Sequence, residues 1–332
     1  MTEDLPTWEE VRSKTEFTGL LVGNGASRAV WTGFNYESLF DKAQNVNETH
    51  RLSDADVALF DALRTRNFEH VLAGLATARH VMTALDIPMP ALGERYTSIQ
   101  KALAEAVKST HVPWKSVPPT CLEAIRSELL NYQSVYSTNY DLIIYWAIMH
   151  EGKGGFKDFF WAKCFDLANT QLSGKSTVVL YLHGGLHLYR TASGGTIKRH
   201  AGPRSNLLDL FGTPLPDEDK DATPLFISEG SSDDKLASIQ RSDYLSFAYT
   251  KLAHHDGPLC LFGHSLSDMD KHIVQALVQA EIHDIAISVR PGSREAVIAA
   301  KAKAHSKLPA AHLLFYDRTT HPLGATRLQI AL

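Results

Sequence analysis

Cysteine is scarce in this sequence of 332 residues: there are three, Cys121, Cys164 and Cys260. They are odd in number and far apart, so they cannot form a four-cysteine zinc site, and they fit a reducing cytoplasm. Long apolar runs are also missing, and no stretch reaches the ~18 residues expected of a membrane span. The N-terminal MTEDLPTWEEVRSK is acidic and lacks the apolar core of a secretory signal. A cytoplasmic protein with no membrane partner is therefore expected. Neither sign of charge dominates: the formal net charge is −4, which carries no direct nucleic-acid signal. Internal repeats and low-complexity tracts are absent. Hydrophobic content of 44% and charged content of 21% are ordinary for a globular protein. The length suits a single large α/β domain over 1–332 with an insertion.

Short apolar runs alternate with helical patterns. Strands are expected at 17–22, 133–137, 177–182, 224–228, 259–262, 284–289 and 312–316. Several, such as VVLYL and LCLF, are continuously apolar, as strands covered on both faces are. DKHIVQALVQAEIH places Ile273, Val274, Leu277 and Val278 at helical spacing, and REAVIAAKAKAH is a second helix. The expected fold class is α/β, a doubly wound, mostly parallel sheet of about six strands. Residues 36–130 give only helical signals and are expected to form a helical insertion or lid. Residues 189–223 read as a long irregular loop.

Four short motifs fall at the carboxyl ends of expected strands, where ligands of open α/β sheets lie. The first is Gly23-Asn24-Gly25-Ala26-Ser27. Its glycines permit close approach to a ligand or to another backbone, and a strand-to-helix turn presents N–H groups to an anion. The second is STNYD, with Asn139 and Asp141. The third is LHGG, with His183 between a buried strand and two glycines that leave space around the imidazole. The fourth is FGHSLSDMD, with Gly263, His264, Ser265 and Asp268. Each motif has a plainer reading as a tight turn or a helix cap. His183 has an ordinary pKa of ~6.5, suited to general-base chemistry.

As a set, these motifs resemble the sirtuins. GNGAS looks like their phosphate loop, STNYD like their T-Q-N-x-D, LHGG like the H-G of their catalytic histidine, and FGHSLSD like the G-x-S-x-x-D near their last strands. The chain is most similar to the prokaryotic sirtuin-like branch, which also carries SEG…K…I…S-x-Y. Phe226 to Gly230, Lys235, Ile239 and Ser242-Asp243-Tyr244 match that element. The chain has no C-x-x-C of a zinc ribbon, and AVWTGFNYESLF stands where deacylases carry P-D-F-R.

The resemblance implies a Rossmann-type fold with NAD⁺ as substrate and no metal. Gly23, Asn24, Gly25, Ala26 and Ser27 would hold the pyrophosphate. Gly263, Ser265 and Asp268 would border the adenosine half, with His264 either a contact on the adenine side or a rival base. Asn139 would orient ribose or water, Asp141 would hold the nicotinamide amide or the Asn139 loop, and His183 would be the base. The expected activity is NAD⁺ glycohydrolysis in antiphage defence, with a homo-oligomer or a neighbouring defence-system protein as partner. Two other readings stay open: a non-catalytic NAD or ADP-ribose sensor, and a zinc-free deacylase or ADP-ribosyl transferase.

Overall fold

The structure is a computed structural model, and it describes residues 5–34, 39–46, 50–152, 154–161, 163–171, 175–201, 205–219, 221–227 and 230–330. In chain order the strands are β1 (Gly19–Val22), β2 (Ser134–Ser137), β3 (Phe156–Lys157), β4 (Phe160–Trp161), β5 (Cys164–Phe165), β6 (Thr177–Tyr181), β7 (Gly184–Arg190), β8 (Thr196–Lys198), β9 (Thr223–Phe226), β10 (Leu259–Phe262), β11 (Asp284–Val289) and β12 (His312–Asp317). Seven of them form one sheet in the order β12-β11-β10-β1-β2-β6-β3. Every neighbouring pair in it is parallel.

All four residues of β1 and of β10 are buried, as are all five of β6. Successive side chains of a strand point to opposite faces, so both faces of the sheet are covered. This is why the runs are apolar without alternation. From β1 the chain builds outward through β2 to β6 on one side, and later through β10, β11 and β12 on the other. The order therefore reverses between β1 and β10, the place where an open α/β sheet leaves a crevice at its carboxyl edge.

Between β1 and β2 the described elements are helical. They include Leu39–Asn45, Asp54–Ala62, Phe68–Ala84, Pro90–Thr110 and Pro119–Leu129. Ser53 starts the second of these with a capping box to Asp56. Phe68–Ala84 buries Phe68, Val71, Leu72 and Leu75, one helical stripe at i, i+3, i+4 and i+7. The helix Pro90–Thr110 packs against it and buries Ile99, Leu103 and Val107. No described helix is long and apolar enough to cross a membrane.

A second sheet, antiparallel, runs β4-β5-β8-β7-β9. The run 224–228, expected beside the parallel strands, instead pairs antiparallel with β7 as β9. The reason is the turn after β6. Gly184 has φ +71° and lies against the Leu225 carbonyl so closely that a Cβ would collide with it. The chain leaves the parallel sheet at that point. Within 189–223 the described residues include the end of β7, β8 and a short helix, Leu207–Leu210.

Candidate active site

The glycines after β1 answer first to a neighbouring backbone. A Cβ on Gly23 would stand 2.6 Å from the Gly263 carbonyl oxygen, and one on Gly25 would stand 2.6 Å from Gly263 Cα. Gly263 has φ +69°, in the left-handed region, and its own Cβ would meet the Ala26 nitrogen at 2.6 Å. The loops after β1 and β10 are thus interlocked. The Gly23 N–H donates to Phe262 O and the Gly25 N–H to Gly263 O, both at 2.9 Å, and the Ala26 N–H donates to Gly23 O at 2.9 Å. Three N–H groups expected to face an anion are committed to carbonyls. Of this motif, Asn24 is the residue that lines the cleft described below.

Gly25→Val is expected to destabilise the fold by about 3 kcal/mol, the upper end of overpacking costs, because the atoms it meets are backbone and cannot swing aside. Urea unfolding measures this. A wild-type midpoint would show that the two loops part freely.

The loop after β2 is tied to the same place. Asn139 Nδ2 donates to Gly23 O at 3.0 Å and to Ser27 Oγ at 2.8 Å. Ser27 Oγ donates to Asp141 Oδ2. Asp141 Oδ1 accepts from the Ile143 N–H at 2.9 Å. Both amide protons of Asn139 are used, and its Oδ1 remains to accept. The loop has a further support that the sequence did not signal. His111 Nε2 accepts from the Leu142 N–H at 3.0 Å, and its Nδ1 donates to Val112 O at 2.8 Å. Burial pushes this imidazole's pKa down, so it is a neutral structural group.

His183 follows β6, and its carbonyl accepts from the Ile227 N–H at 2.8 Å. The glycines after it do not serve to clear space for the ring: Gly184 makes the close approach to Leu225, and a Cβ on Gly185 would meet the His187 ring at 2.7 Å. His183 Nε2 lies 2.8 Å from His272 Nε2. His272 Nδ1 lies 3.0 Å from Ser232 Oγ, which also accepts the His272 backbone N–H at 2.8 Å. Beside this pair, Lys235 Nζ donates to Asp270 Oδ1 at 2.8 Å. His264 Nδ1 accepts from the Leu266 N–H at 3.2 Å, so its proton is on Nε2. That atom is buried with no hydrogen-bond partner among the described residues, 3.9 Å from Asp270 Oδ2.

Burial drives the pKa of His183 well below the usual histidine value, and His272 and Lys235 add to this while Asp270 opposes it. Burial takes His272 down to about 4. For Asp270, burial acts to raise the pKa, but Lys235, His183 and His264 outweigh it and hold the group below the ordinary carboxylate range. The site therefore holds neutral imidazoles around one ion pair. His183, Asp270 and His272 bring metal-binding atom types within 4.8 Å of one another. A metal ion there would have to part the two bonded imidazoles and displace Lys235 from Asp270.

These groups surround a cleft of about 870 Å³ at the carboxyl edge of the sheet, lined by Asn24, Asn139, Asp141, His183, Gly263, His264 and Ser265 among others. One residue or more from each of the four motifs lines it. Gly23, Gly25, Ala26 and Ser27 lie behind that lining and shape it. Asp268 does not line it either: its side chain is 84% exposed and pairs with Lys307. The acidic residue of this motif that faces the cleft is Asp270. Ser228 and Glu229 of the matched SEG element lie outside the described residues, while Gly230 and Lys235 line the cleft.

Phe34 also lines the cleft, and the helical insertion contributes Leu39, Arg64, Thr65 and Arg66. Arg64 holds a left-handed backbone, φ +50°. Arg66 is paired with Asp61 at 2.6 Å and sits 4.3 Å over the Phe40 ring. A second cavity of about 570 Å³ lies beyond β10 and β11, lined by Ser288, Arg290 and Lys303, and shares His264 and Ser265 with the first.

Among solved structures, the chain is similar to a Sir2 homologue described in complex with NAD, with 14% identity, 98% of this chain and 95% of that chain covered, and a TM-score of 0.41. It is also similar to a structure described as showing the mechanism and regulation of Sir2 enzymes, with 13% identity, coverage of 96% and 92%, and a TM-score of 0.40. No curated protein matches it in sequence. A family model described as a domain of unknown function, DUF4917, matches residues 20–322, and the chain belongs to that family.

Proposed function

We propose that this protein binds NAD⁺ across the carboxyl edge of its parallel sheet and hydrolyses it to nicotinamide and ADP-ribose. The observation that carries the reading is convergence. Motifs spread from Asn24 to Asp270 line one cleft at the point where strand order reverses. Two cavities that share His264 and Ser265 suit a ligand with two halves. The larger takes the nicotinamide riboside end, and the smaller takes the adenosine.

The chemistry asks little of the protein beyond geometry. The bond from ribose C1′ to the pyridinium nitrogen breaks, and its electron pair neutralises the departing nicotinamide. Positive charge moves to the ribose. Water adds at C1′ and its proton goes to His183, whose lowered pKa keeps the imidazole neutral and able to accept. Asn139 Oδ1 orients the water or a ribose hydroxyl. Arg64 supplies positive charge along a cleft that would receive a pyrophosphate. Acting freely in a cell, the enzyme would deplete NAD⁺, the antiphage role that the sirtuin-like resemblance suggests.

The test is NAD⁺ turnover by the purified protein at several concentrations, with and without activators, followed by nicotinamide release and by calorimetric binding. Release of nicotinamide at a rate that scales with enzyme supports the proposal. Binding without release under every condition replaces it with the sensing reading, and no binding overturns both.

A further inference from the structure

We propose that the base in this site is a dyad, with His272 as the positioning residue that shares the proton taken up by His183; this rests on the hydrolase reading above.

The geometry is a chain of three side chains. Ser232 Oγ, His272 and His183 are joined by contacts of 3.0 Å and 2.8 Å. Ser232, His183 and His272 are buried. Two nitrogens at 2.8 Å share one proton, since two N–H groups cannot point at each other and two lone pairs would repel. His183 Nδ1 has no hydrogen-bond partner among the described residues, and the residue lines the cleft. The substrate therefore meets Nδ1, while Nε2 is committed to His272.

Consider the neutral dyad with its bridging proton on His183 Nε2. His272 Nε2 then carries a lone pair, and the His272 proton sits on Nδ1 and is donated to Ser232 Oγ. A proton from the attacking water lands on His183 Nδ1. The bridging proton moves toward His272 Nε2 as that happens. The pair has gained one proton and one positive charge, and the N–H···N bridge still holds a single proton. The charge moves one ring further from the ribose, which is itself becoming positive. It is received where Asp270 lies, within 4.8 Å of both imidazoles. The other groups facing the dyad are Lys235 and His264. Lys235 is already paired with Asp270, and His264 is buried and neutral. A lone histidine base would keep its whole charge beside the ribose. Sharing removes part of that repulsion when the bond breaks, which is when an interaction speeds the reaction rather than tightening binding.

Three variants of the 332-residue chain and one spectroscopic measurement test this. His272→Ala is expected to slow nicotinamide release about 10²-fold, the low end for a general base, with NAD⁺ affinity changed less than about threefold. His272→Gln keeps an acceptor for the His183 Nε2–H but takes no proton, so it should recover orientation and only part of the rate. Ser232→Ala, the mildest change, should cost a few-fold. In imidazole ¹⁵N spectra of the wild type, with His183 and His272 assigned by substitution, the two rings should shift together and take up one proton between them as pH falls. Separate titration of the two rings overturns the dyad. So does release at the wild-type rate by His272→Ala. Full recovery of rate by His272→Gln reduces His272 to an orienting group and also overturns charge sharing. If the rings titrate as one but NAD⁺ neither binds nor reacts, the dyad stands and the NAD⁺ reading falls.

Discussion

Lowering the pH from about 7.5 to about 5.5 is expected to remove several kcal/mol of stability. Among the described residues, seven histidines have pKa values pushed down, first of all by burial: His111, His183, His187, His255, His264, His272 and His321. His187 and His321 fall to about 3 and His272 to about 4. A histidine whose pKa is lowered by folding holds fewer protons in the native state than in the unfolded chain. Stability is then complete above the unfolded value of ~6.5 and declines as pH falls below it, by about 1 kcal/mol per pH unit for each such group. Two buried carboxyls act the other way. Burial raises the pKa of Glu69 and Glu128, so acid relieves a cost at each. Two groups do not offset seven, and a typical domain has only about 5–15 kcal/mol in total. Urea unfolding at three pH values across this window measures the slope, and a flat profile would refute the assignment of these rings as neutral. The site is affected in the same direction: burial holds the pKa of His183 well below the usual histidine value, so the His183–His272 pair takes up its proton only in acid, where the fold is already losing stability. Activity should therefore persist below pH ~6.5, where a free histidine base would already be protonated, and fall only in stronger acid.

How legible the site was in the sequence depended on what each residue answers to. The parallel strands were readable because burial on both faces leaves an unbroken apolar run, as in Leu259–Phe262. The two-residue β3 had too little sequence to announce itself. The antiparallel sheet was missed because β9 is as buried as the parallel strands, and only its partner distinguishes it. Asn139 and His183 were legible as polar residues at strand ends. Their supports were not. His272 stands in the first turn of Lys271–Gln279, and nothing local separates it from an ordinary helix residue; its meaning comes from Ser232 and His183, far away in sequence. In the same helix Val278 shares the helical spacing of Ile273, Val274 and Leu277 yet is 54% exposed, while Ala276 is buried. The G-x-S-x-x-D spacing points to Asp268, and the structure brings Asp270 to the cleft instead. The chain enters a 3-10 turn there, Asp268–Asp270, which sends the first carboxylate to solvent and Lys307 and the second to Lys235.

His183→Ala and Asn139→Ala should differ in kind, although both remove a polar group from the same cleft. The His183 imidazole is bonded to His272 rather than to the loops that shape the cleft. Its loss should leave NAD⁺ affinity nearly unchanged and slow nicotinamide release by ~10²–10⁴-fold, the usual contribution of a positioned base. Asn139 has two duties. Its Oδ1 is free to orient water or ribose, while its Nδ2 ties Gly23 O and Ser27 Oγ to the loop after β2. Alanine there removes both. The rate should fall by a comparable factor through lost orientation. Affinity should fall as well, because the interlocked loops at Gly23 and Gly263 lose the strap that holds them against Asp141. If the two groups serve one step, the double variant should be far less than multiplicatively worse in rate, yet its affinity should match that of Asn139→Ala alone. Calorimetry and nicotinamide release on the three variants separate these quantities, under conditions where the wild type turns over. Wild-type turnover by His183→Ala would make the histidine structural and end the mechanism. Unchanged affinity in Asn139→Ala would show that Ser27 and Asp141 hold the loop without it, and the role of Asn139 would then lie in the cleft alone.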